Sequence, residues 1–147
     1  MTPQAKMTPR INFVTLGVAD VARARGFYER LGLKASSAGD GNVAFFDANG
    51  VVLAVFGHAA LAEDAHMKAD PPQPFRGVGL AWNARSEAET DAIYAHALAC
   101  GATSAKAPEK MFWGGYSGYF TDPDGHLWEV AYNPFMPLNE EGRIQLP

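Results

Sequence analysis

Residues 11–18 (INFVTLGV) carry large apolar side chains at Val14, Leu16 and Val18, the period-two pattern of a strand covered on one face. Asp20 follows as a helix N-cap. In VARARGFYERLG the residues Val21, Ala24, Phe27, Tyr28 and Leu31 recur at helical spacing, and Gly32 supplies a left-handed stop. NVAFFDANGVVLAVF reads as two strands turning at Asn49-Gly50, because both residues tolerate positive φ. The first half is therefore a strand, a helix and at least two further strands.

The same order returns after the Pro-rich DPPQPF. GVGLAW reads as a strand, Ser86 as an N-cap, EAETDAIYAHALACG as a helix closed by Gly101, and GYSGYFTDPDGHLWEVAY as a hairpin turning at Asp122 to Gly125. Laying the halves over each other puts Phe13 on Gly77, Gly32 on Gly101, Phe45 on Phe120, Gly50 on Gly125 and Ala54 on Glu129. The repeat length is about 65 residues. The chain thus reads as one domain, 1–147, with half-modules at about 10–57 and 76–133, a connector at 66–75 and a tail at 134–147. The expected fold class is α+β: two βαβββ modules forming a cupped mixed sheet, helices on its convex face and a cavity on its concave face.

Composition narrows the function. A hydrophobic content of 48% suffices for a continuous core, so disorder is expected only at the ends. The net charge of -4, with no clustered Lys and Arg, excludes nucleic acid as the natural partner. No run approaches the roughly 18 apolar residues of a membrane helix, and MTPQAKMTPR lacks the apolar core of a secretory signal; Met7 could serve as the start. The single cysteine, Cys100, lies in the apolar repeat of the second helix and reads as a buried, inert thiol, which fits a reducing cytoplasm.

Two segments resemble a known family. VTLGVADVARARGFYERLGL resembles the opening, and FTDPDGHLWEV the closing hairpin, of the glyoxalase/bleomycin-resistance/dioxygenase superfamily, also called vicinal-oxygen-chelate proteins. The resemblance implies a divalent metal held by one ligand from each of four strands. It also locates those positions here: Phe13 in place of a first-strand His, Gly77 as its counterpart, Ala54 at the end of the first hairpin, and Glu129 on the last strand. One carboxylate cannot hold a catalytic metal, which needs at least three protein ligands, so neither metal nor cofactor is expected. His126 is offset by an odd number from Glu129, His96 sits among acidic residues on a helix, and His58 and His66 lie in the loop GHAALAEDAHM, from which either could reach inward.

Alternation sorts the remaining residues. The inward set is Phe13, Thr15, Phe45, Ala54, Phe56, Phe120 and Glu129 with the small residues Gly77, Gly79 and Ala81, while MFWGGY brings Trp113 and Tyr116 to the mouth; Trp82 and Trp128 turn to the helices. Aromatic rings around one carboxylate suit a planar, partly apolar ligand bearing a cationic or donor group. Glu129 is the candidate catalytic residue, since a carboxyl partly desolvated among apolar groups can act as a general acid or base. Two functions stand: a metal-free binding protein for a small aromatic or amphipathic molecule, and a superfamily enzyme of lyase, isomerase or dioxygenase type, metal-dependent or using Glu129 as base. The apolar tail NPFMPLNEEGRIQLP, together with the habit of the family, points to a homodimer.

Overall fold

A computed structural model describes residues 5–147; the first four residues of the N-terminal stretch read for a secretory signal lie outside them. The chain runs β1 (Phe13–Val18), α1 (Val21–Leu31), β2 (Val43–Asp47), β3 (Val52–Gly57), α2 (His58–Asp64), β4 (Gly79–Asn83), α3 (Glu87–Cys100), β5 (Thr103–Lys110), β6 (Tyr116–Thr121) and β7 (Leu127–Tyr132). The strands form two mixed sheets, β1-β3-β2 and β4-β7-β6-β5. The class is α+β, and both sheets repeat one topology: a first strand parallel to the last, and a hairpin beside it.

The local signals explain most of the boundaries. Asp20 caps α1 by accepting from Arg23 N, and Ser86 caps α3 by accepting from Glu89 N, each meeting one of the unpaired N–H groups of a helix start. Gly32 and Gly101 end the helices at positive φ, and Asn49 and Gly50 turn the first hairpin at φ 63 and 103.

Three elements depart from expectation. The strand that should precede β2 shrinks to a single bridge between Ala35 and Phe46. Ser36 and Asp40 bind nearby backbone N–H groups in that stretch, and such local bonds compete with a ladder. The segment read as the loop GHAALAEDAHM contains α2, for which its Ala, Leu and Glu residues have the propensity. The third is β5, whose polar residues and Pro108 gave no alternating signal because it is an exposed, bulged edge strand.

One core spans both halves. Leu16, Phe27, Tyr28 and Phe46 of the first half form one cluster with Tyr94, Phe120 and Val130 of the second. α1 packs on β2 and β3, α3 on β5, β6 and β7, and the helices touch each other. Trp128 joins this core, but Trp82, on β4, stays 41% exposed. The halves are also joined by polar contacts. Asp124 Oδ1 accepts from Ala19 N at 2.8 Å and from Arg23 at 2.9 Å, and the His126 ring meets Gly17 O at 2.7 Å. The apolar tail is seated on its own chain: Asn139 O accepts from Arg85, and Glu141 O from Asn49 on the first hairpin. No helix of the described residues is long and apolar enough to cross a membrane.

Candidate functional site

Register decides which residues share a face, since paired residues project to the same side. In the first sheet Thr15 pairs with Ala54, and Ala54 with Phe45. In the second, Ala81 pairs with Glu129, and Glu129 with Tyr119. Buried Leu16, Val55, Phe46 and Phe120 occupy the opposite sides, so these two rows lie on the faces turned away from α1 and α3.

On the first sheet that face carries Phe13, Thr15, Phe45, Ala54 and Phe56, as alternation required. Phe13 and Phe45 stand on the strands flanking β3 and lean together over it, their ring centroids 6.1 Å apart at 70°. Ala54, between them, is only 1% exposed. His58 lies over Gly17 at the end of the same face, where any Cβ on Gly17 would meet it at 3.1 Å, and its Nε2 contacts Asp70 O.

On the second sheet two expected positions move. Phe120 pairs with Trp128, not with the Glu129 row; it faces α3, is 2% exposed and stacks on the Trp128 ring at 6.3 Å. Tyr116 shares that helix side, where its hydroxyl donates to Asp91 Oδ1 of α3 at 2.7 Å. The cause is hairpin length: Ala48 to Val51 separate the paired Asp47 and Val52, whereas Asp122 to His126, one residue more, separate Thr121 and Leu127. Phe45 therefore corresponds to Tyr119, which the overlay of Phe on Phe passed over. Counting back from the paired ends of the Asp-Pro-Asp-Gly turn would have found it. The same registers make Gly79, not Gly77, the counterpart of Phe13; Gly77 precedes β4 at φ 74.

Glu129 and Tyr119 form the polar centre of this face. Loss of solvent, followed by the charge of Glu129, holds the Tyr119 phenol above its ordinary value, as expected of a hydroxyl near a carboxylate. Among the described residues Glu129 takes part in none of the ion pairs. Trp113 reaches the same side. A Cβ on Gly115 would fall 1.8 Å from Trp113 Cζ3, so the indole occupies the place of a Gly115 side chain, in line with Ser117 and Tyr119. The two glycines that follow Trp113 admit rings: Trp113 lies on Gly115, and Phe135 presses on Gly114.

The donor set does not suit a divalent metal. Phe13, Ala54 and Gly79 supply no ligand atom beside Glu129, and among the described residues no three of His, Cys, Asp and Glu come together. Two concavities are lined by none of Glu129, Tyr119 and Trp113. One of about 530 Å³ is bordered by Ala19, Asp20, Asn42 and Phe56 near the start of α1; another of about 230 Å³ lies under the tail beside Arg85 and Tyr132. Cys100 is buried, with its sulfur 3.5 Å from the His96 ring.

The profile of the Glyoxalase/Bleomycin resistance protein/Dioxygenase superfamily matches residues 10–130. Among solved structures, one described as a glyoxalase-related enzyme from Fulvimarina pelagi superimposes with a TM-score of 0.85 at 29% identity, covering 95% of this chain and 99% of its own. One described as a glyoxalase/bleomycin resistance protein/dioxygenase from Nocardioides gives 0.73 at 27% identity, covering 97% and 93%. A lactoylglutathione lyase from Agrobacterium tumefaciens, at 23% identity, 0.66 and coverages of 86% and 96%, shares the fold. No curated protein of known function matches the sequence.

Proposed function

The chain belongs to the glyoxalase/bleomycin resistance protein/dioxygenase superfamily, and from that premise we propose that it binds a small aromatic or amphipathic molecule, without a metal, on the helix-free face of its second sheet. The observation that carries this reading is the Glu129 and Tyr119 pair, set on an open face that also bears the Trp113 ring. A carboxylate accepts strong, charge-assisted bonds from a cationic or donor group, while indole stacks on an apolar plane. Thr15 and the Phe13–Phe45 pair give the first sheet a matching apolar face. Phe13 is 56% exposed there, and a second copy closing the open faces would make the homodimer. A light-scattering mass twice the chain's 15.8 kDa tests that pairing, and a mass at the single-chain value counts against it. A buried lone cysteine suits the cytoplasm as its compartment.

Tryptophan fluorescence tests the site directly. Planar cationic compounds are expected to quench the protein, Trp113→Phe to lose that signal while Trp82 and Trp128 remain, and Glu129→Gln to lose the preference for cations. Quenching unchanged in both variants would place the ligand elsewhere.

One observation favours a second reading. The phenol at Glu129 offers a proton donor beside a proton acceptor, and the Fulvimarina pelagi relative is described as an enzyme. Turnover of hemithioacetals or catechols, lost in Glu129→Gln, would establish it over simple binding.

A further inference from the structure

The two sheets match strand for strand, β1-β3-β2 against β4-β7-β6, and register extends the match to single residues. Phe13 pairs with Val52 and Gly79 with Leu127; two residues on, Ala54 and Glu129 hold the same place. In the first sheet the rings of Phe13 and Phe45 close over Ala54 in an edge-to-face pair. In the second, Tyr119 provides the ring of Phe45, a carboxylate replaces the methyl of Ala54, and Gly79 provides nothing where Phe13 would stand. The second sheet therefore lacks one aromatic ring, at the position opposite Leu127 and diagonal to Glu129 on the same face.

We propose that the ligand supplies this ring: a single planar aromatic group bearing an amidinium or ammonium, seated over Gly79, edge-to-face with Tyr119 and donating to Glu129. Gly79 is then the specificity-determining residue, admitting a ring that a phenylalanine would exclude. The inference rests on the ligand face proposed above and adds the chemical class of the ligand and its seat. An edge-to-face neighbour is the arrangement the Tyr119 quadrupole favours, and the first sheet shows that this backbone accepts it. The charge preference follows from Glu129, which among the described residues has the Tyr119 phenol beside it and no ion-pair partner. Lys106, in register with Tyr119 on β5, is instead turned to Glu109 at 3.1 Å and to Met111 Sδ at 3.3 Å.

Gly79 can be substituted without damage to the fold. It is exposed, its φ lies outside the left-handed region, and a Cβ would meet only Leu127 Cδ2 at an ordinary 3.8 Å. Backbone NMR titration of the full chain with benzamidine is therefore the test, with benzoate as the planar anion and cyclohexylamine as the non-planar cation. Benzamidine is expected to shift Gly79, Ala81, Tyr119 and Glu129 saturably, and to bind about tenfold or more tightly than either control, a difference of about 1.4 kcal/mol. Gly79→Phe and Gly79→Leu should abolish those shifts with unchanged melting curves, and Glu129→Gln should remove the margin over benzoate. If benzamidine binds the Gly79 variants as it binds the parent, with shifts centred on Trp113, the seat is overturned while the ligand face stands. Equal binding of benzoate or cyclohexylamine overturns the ligand class. If no probe shifts any residue of this face, both the inference and the reading beneath it fall.

Discussion

The Tyr28 hydroxyl donates to Asp122 Oδ2 at 2.7 Å, a bond between the last turns of α1 and the turn of the β6–β7 hairpin, 94 residues away. Trp128 Nε1 donates to the same hydroxyl at 3.0 Å, and Asp122 Oδ1 accepts from the N–H groups of Asp124 and His126. One buried carboxylate thus shapes the turn and ties it to the other half. The two segments whose resemblance to the superfamily was visible in sequence, GFYERLG and TDPDG, meet in this bond.

Replacing Tyr28 by Phe keeps the ring but leaves Asp122 Oδ2 and Trp128 Nε1 without their partner in the core. The expected loss is about 2 to 3 kcal/mol, the cost of stranding buried polar groups. Urea unfolding with an unchanged m-value would measure it. A loss under about 0.5 kcal/mol, the range of ordinary surface changes, would mean that water replaces the bond freely.

The same residue makes stability depend on alkaline pH. Burial first, then the charge of Asp122, raises the Tyr28 phenol far above its ordinary value. The unfolded chain therefore releases this proton at lower pH than the folded one. The stabilisation is complete below the ordinary phenol range near about pH 10 and falls as pH rises beyond it. Melting temperatures measured from pH 8 to 11 are expected to drop more steeply in the parent than in Tyr28→Phe, and parallel slopes would count against the assignment.

Phe120 and Tyr116 stand on the helix side of β6, so they should answer to stability and not to ligands. Phe120→Ala removes a ring packed between Tyr94 and Trp128 and is expected to cost about 3 to 5 kcal/mol. Tyr116→Phe loses only a surface bond to Asp91, worth less than about 1 kcal/mol. Folded protein of either variant should keep the parent's ligand preferences; a changed preference would return these residues to the ligand face.

Gly115→Ala tests the seat of Trp113. A methyl at 1.8 Å from the indole forces the ring off the strand, so emission should change and ligand quenching should weaken. An unchanged emission spectrum and titration would show that the ring does not rest there.

Much of this architecture was determined by the sequence alone, because it depends on neighbours close along the chain. Caps at Asp20 and Ser86, stops at Gly32 and Gly101 and turns at Asn49-Gly50 and Asp122 to Gly125 are local devices, and the period-two rows of β1 and β3 follow from apolar spacing. The superfamily was visible for the same reason. Elements without an apolar pattern escaped: β5 is an exposed edge whose hydrogen bonds go to β6, and α2 buries no residue. Faces were decided only by tertiary pairing. A single extra residue in the second hairpin reverses the sides of all that precedes it, sending Phe120 inward to α3 and bringing Tyr119 to Glu129. The parallel registers of β1 on β3 and β4 on β7, which join strands far apart in sequence, alone make Gly79 the counterpart of Phe13. Side-chain period along a strand is local, but the phase between strands is fixed by hydrogen bonds across the sheet, and no run of residues in one strand contains it.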